Sequence, residues 1–136
     1  MTPPPKPLTA TQAATALQAK VPDVTKVVTI TENIDPNNMI GRPNGYISAA
    51  VMVDRTLPVC DSTAFGVDCG ATVEVWSTPA VAATRAKYIH AILGVGGALG
   101  SEWDFVKGDT VLRVSGNLKP SQAGMYGSNF GGKQIQ

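Results

Sequence analysis

The sequence predicts an α+β domain, an antiparallel sheet of about four or five strands with two or three helices mainly on one face. Three observations carry this. Short β-branched runs recur, TKVVTIT, YISAAVMVDR and ATVEVWS, with alternation of period two. They follow one another through short links, which favours antiparallel pairing. The helical stretches stand apart from them, giving the order helix, three strands, helix, two strands, helix.

Taken in order, residues 1–8 (MTPPPKPL) form a proline-rich tether, because consecutive prolines favour an extended spacer over a packed element. Residues 9–136 form the single domain. Thr9 or Thr11 caps a helix running to Ala19, with Ala13, Ala14 and Leu17 as its apolar face, and Pro22 ends it. Strands follow at Thr25–Thr31, Tyr46–Arg55 and Ala71–Ser77. In the second of these Ile47, Ala49, Val51 and Val53 share a face. Ser77 or Thr78, with Pro79 in the first turn, opens the longest helix, which runs to Leu93. The glycine-rich string GVGGALG stops it. Trp103–Val106 and Thr110–Ser115 flank KGD as a hairpin, and LKPSQAGMY is a last short helix.

The totals exclude several classes of function. A chain of 136 residues suits one domain that buries roughly two thirds of its unfolded surface. The net charge is +1 and no basic run occurs, which argues against nucleic acid and against a polybasic membrane surface. No apolar stretch approaches the length of a bilayer span. Cys60 and Cys69 are the only cysteines, and with the single histidine, His90, they are too few for a structural zinc site. They are placed to close a short ring worth about 2.7 kcal/mol, two free thiols being the alternative. A bridge implies an oxidising compartment.

Candidate sites are few. GVGGALG follows a helix instead of opening one, so it is no dinucleotide loop. DPNNMIG begins like a calcium loop at Asp35 and Asn37, but Met39 stands at the fifth position and Tyr46 at the twelfth. No nucleophile–histidine arrangement is evident, so no catalytic residue, metal or cofactor is assigned. Arg85 falls near the centre of the stripe formed by Val81, Ile89 and Ile92. It therefore needs an internal carboxylate, for which Glu102 or Asp104 is favoured over Asp54 and Glu74. On the second sheet face Tyr46, Ser48, Met52, Glu74, Trp76 and Arg113 fall together. Those residue types are typical of interface cores, unless a helix or the C-terminal tail covers them. DPNN and RPNG are two successive turns that stiffen the arm holding Asp35, Asn37 and Arg42, with Asp35 and Arg42 expected to pair across it. Stiffness of this kind suits recognition and equally suits a structural corner.

The strings DPNNMIGRPNGY, RAKYI and LRVSGNLKPSQA, in this order, resemble a group of small secreted lipoproteins of high-GC Gram-positive bacteria and their phages. The resemblance covers about residues 8 to 130. It implies a lipid-anchored envelope protein whose proline-rich start is its tether, and it supplies no catalytic residues. Met1 stands where an anchored member would have a nearby cysteine, so membrane attachment is expected only through an anchor lost from this start. The leading expectation is therefore an extracytoplasmic protein, not an enzyme, that binds an envelope protein or cell-wall component through its surface. Superinfection exclusion by a phage is one specific form. The alternatives are a small-ligand or anion carrier, or an enzyme, using Arg85 with a nearby carboxylate, and a domain that homodimerises through the open sheet face.

Overall fold

Helix formation starts at Thr9. Its hydroxyl accepts the Gln12 N–H at 3.1 Å while Gln12 Oε1 accepts the Thr9 N–H at 2.9 Å, a reciprocal cap that satisfies two otherwise orphaned donors. The structure, a computed structural model, describes residues 8–58, 60–93 and 101–135. The tether, apart from Leu8, and the glycine stop at 94–100 lie outside these residues. Helix α1 (Ala10–Gln18) buries Ala10, Ala14 and Leu17.

Strands β1 (Val24–Ile30), β2 (Ser48–Asp54) and β3 (Gly70–Val75) follow. Helix α2 (Pro79–Leu93) starts where Thr78 Oγ1 accepts the Val81 N–H at 3.1 Å. Then come β4 (Glu102–Lys107), β5 (Thr110–Ser115), α3 (Pro120–Phe130) and β6 (Lys133–Gln134). The sheet has six strands in the order β1-β2-β3-β5-β4-β6, and every pair is antiparallel. The α+β class therefore holds, with one strand beyond the expected range. The extra strand is β6, two residues long, paired to β4 once Gly131 (φ 77°) has closed α3 in the left-handed conformation. GGKQIQ has no alternation that would announce a strand.

The sheet is covered on both sides. On one, α1 and α3 pack over Ala50, Met52, Val73, Leu112 and Val114. On the other, Ala82 and Ala86 of α2 join Ala49, Val51, Trp76 and Val111. Two helices of three thus share a face, and the longest lies on the opposite one, making three layers. That corrects the expected open face: Tyr46 and Trp76 are about as buried as any residue in the protein, at 2% and 3% exposure. Met52 is buried too, but in the core beneath α1, away from Tyr46 and Trp76. Tyr46 precedes β2, so the strand's alternation does not govern which way it points.

Helix α2 turns Arg85 and Ile89 inward as the spacing predicts, but its inward face is shifted away from Val81 and Tyr88. It buries Ala82, Ala86 and Ile89, while Val81 and Tyr88 are exposed. Small residues at the contact let the helix approach closely and bring Arg85 down to the sheet.

Candidate functional site

The centre of the α2 face is ionic. Glu74, fully buried in β3, accepts Trp76 Nε1 at 3.2 Å and Arg85 Nε at 3.3 Å on one oxygen, and Arg113 Nη1 at 3.3 Å on the other. Arg113 of β5 also grips Glu102 of β4 in a two-pronged pair, Nε–Oε1 2.7 Å and Nη2–Oε2 3.0 Å. The registers Thr72↔Arg113 and Glu102↔Ser115 place these side chains on one face of three adjacent strands. Burial alone would weaken the Arg113 charge, but Glu102 and Glu74 hold it firmly protonated.

Arg85 therefore has its internal carboxylate, but the partner is Glu74, not Glu102 or Asp104. Glu102 is taken by Arg113, and Asp104, although opposite Arg113 in the β4–β5 register, makes no ion pair with either guanidinium among the described residues. Arg85 also stacks over Trp76, with Cζ 5.6 Å from the ring centroid, and Trp76 meets Tyr46 edge-on at 5.6 Å. The Trp76–Tyr46–Arg113 set expected as an interface is thus the inside of a charged, aromatic core.

Asp104 is buried and neither carboxylate oxygen has a hydrogen-bond partner among the described residues. His90 Nδ1 is the nearest basic atom found, 4.0 Å from Oδ2. Burial, and then the neighbouring Glu102 carboxylate, push the Asp104 carboxyl up to about 9. Thr72 Oγ1 is likewise buried without a partner. A separate buried acid, Asp54, serves the opposite face, where it accepts the Tyr126 hydroxyl at 2.7 Å and both Thr56 donors.

Helix α2 covers only part of its face. Over the rest lie two loops. In the first, Asp35 is the organising residue: one oxygen accepts the Met39 and Ile40 N–H groups at 2.8 and 2.9 Å, the other the Asn37 N–H at 3.0 Å and the Tyr46 hydroxyl. Burial alone would raise the Asp35 carboxyl, but the Tyr46, Met39, Ile40 and Asn37 donors hold it below the ordinary value. Both expected turns form, with Asn38 N–H donating to Asp35 O and Gly45 N–H to Arg42 O. A side chain at Gly45 would collide with the Met39 carbonyl, its Cβ falling 1.8 Å from the oxygen. Asp35 and Arg42 do not pair; Arg42 donates to Asn38 Oδ1 at 2.9 Å on the exposed edge. The acid's lone pairs are spent on backbone amides and Tyr46.

The second loop is closed by a Cys60–Cys69 disulfide and ends in the 3-10 turn Val67–Cys69. Its Phe65 ring carries Lys26 Nζ 5.1 Å from the centroid. Between the two loops and the end of α2 lies a cavity of about 300 Å³, with Asp35, Asn37, Phe65, Asp68, Glu102 and Arg113 among its lining.

No family model, curated protein or solved structure matches this chain.

Of the residues expected to bind, the structure brings Asp35, Asn37, Tyr46 and Arg113 to this cavity and leaves Arg42, Met52 and Trp76 away from it. Sequence reasoning missed Phe65 and Asp68, and it ranked the hub Glu74 behind Glu102 and Asp104 as the partner of Arg85. Glu74 did carry a signal, a lone charge in the strand TVEVW, whose other residues are apolar or β-branched. Phe65 and Asp68 carried none, because their place depends on where the disulfide folds its loop.

Proposed function

We propose that this protein works outside the cytoplasm, anchored to the membrane by lipid, and binds a component of the cell envelope through the rim formed by its two stiffened loops. The observation that carries the reading is the meeting of those loops over a cavity: one is drawn tight by the Asp35 carboxylate, the other by a disulfide. A binding edge ordered in advance loses little conformational entropy on contact. The disulfide also supports an extracytoplasmic location, and no helix among the described residues is long and apolar enough to cross a membrane.

The ionic cluster beneath the cavity supports binding more than chemistry. Arg85 and Arg113 are already matched by Glu74 and Glu102, so neither is a free charge for an anion carrier. The reading is tested by capture of envelope material from a high-GC Gram-positive host on the immobilised protein. The double variant N37A/D68A, changed only at exposed rim positions, is expected to capture at least about fivefold less, on the scale of two lost polar contacts. Equal capture by both forms would remove the rim from consideration.

A further inference from the structure

We propose that the cavity between the two loops holds a neutral, hydroxyl-rich ring, a single sugar unit of an envelope glycan. This names the ligand of the rim and so rests on the reading of that rim as the binding surface.

The argument is one of charge and of unspent hydrogen-bonding capacity. Arg113 gives one N–H from each of Nε, Nη1 and Nη2 to Glu102 and Glu74, and a guanidinium has five. One N–H therefore remains on each terminal nitrogen. Glu102 accepts two hydrogen bonds from Arg113 and also faces the buried Asp104 carboxyl, and since a carboxylate has room for about four, one acceptor site remains. Asn37 gives one amide hydrogen to the Tyr46 hydroxyl at 3.3 Å, which leaves its second hydrogen and its carbonyl oxygen. Asp68, exposed at the rim, makes no side-chain hydrogen bond or ion pair among the described residues.

The lining therefore offers donors and acceptors side by side, and a hydroxyl group needs both at once. An anion would meet Arg113 but also Glu102, Asp68 and Asp35. A cation would meet those carboxylates but also a guanidinium that burial makes costly to oppose. A hydroxylated ring gains from both signs and carries no charge to desolvate. Phe65, half-buried in the lining, supplies apolar surface for its C–H face, over a floor of buried Ile30, Ala49 and Val51. A volume of about 300 Å³ is at the small end of ligand sites, suited to one ring and not to a long chain.

The test uses the whole chain labelled with ¹⁵N, titrated with neutral hexoses, pentoses and N-acetylhexosamines, and separately with phosphate and ethylammonium. At least one sugar is expected to shift the Asn37, Phe65 and Asp68 amide resonances saturably. D68A is expected to weaken that binding about tenfold while leaving the melting temperature unchanged. Phosphate or ethylammonium acting at lower concentration than every sugar overturns the proposal, and so does a panel in which no sugar moves these resonances. If no sugar binds while envelope capture still depends on Asn37 and Asp68, the glycan assignment falls and the rim reading survives. If both are lost, both fall.

Discussion

At Asp104 a carboxyl sits buried beside Glu102, and burial together with that neighbouring carboxylate raises it from 3.8 to about 9. Between those two values the folded protein holds a proton that the unfolded chain has released, so stability falls as pH rises through the window. Asp104→Asn keeps the shape and removes the titration. The variant is expected to melt several degrees higher than the parent at pH 8 and to coincide with it at about pH 3, below both values. Parallel melting curves at the two pH values would show that the carboxyl has another partner. Asp35 behaves in the opposite sense, because its donors hold it below the ordinary 3.8. Its contribution is present above that value and is lost as pH falls through the still lower folded one. Asp35→Ala should cost about 2 kcal/mol at neutral pH, read from urea unfolding, and the difference should shrink in acid.

Among the elements, the disulfide loop and α3 make the clearest demands. Replacing both cysteines with alanine should lower stability by about 2–3 kcal/mol while the sheet signal in far-ultraviolet circular dichroism persists. The reason is that the bridge closes a loop at the edge of the cavity and no sheet pairing depends on it. In α3 an added Cβ at Gly127 would fall 2.4 Å from the Phe105 ring. Gly127→Ala is therefore expected to destabilise by about 1–3 kcal/mol, outweighing the gain of about 1 kcal/mol in helix propensity. A more stable variant, measured by the same unfolding, would mean that the ring moves aside freely. Helix α2 shows why element phase is harder to read than element position. Its boundaries were legible in Thr78, Pro79 and the apolar spacing, and Ile89 is inward as expected, but Val81, assigned to the same face, is exposed. The real contact uses Ala82 and Ala86 because the surface beneath holds Glu74, Trp76 and Arg113, and only small side chains admit Arg85 to reach Glu74.

For the molecule as a whole, the three layers turn a face that looked open into a second core. Trp76→Ala should consequently cost about 3–5 kcal/mol in global stability. The observable is an early unfolding midpoint, in place of selective loss of binding by a stable protein. Homodimerisation through that face would first require α2 to leave it. By itself the sequence determined the class of fold, the strands other than β6, the three helices and both turns of the Asp35 arm, and it favoured the sulfur pairing that the structure shows. Each of those is set by residues near one another in the chain: caps, prolines, alternation of period two, a short ring. Only the tertiary structure decided which side of the sheet α2 covers, that Glu74 is the partner of Arg85, and that Phe65 and Asp68 meet Asn37 over one cavity. Those facts depend on contacts between segments distant in sequence, where burial makes each charge take whichever opposite charge the packing brings within reach.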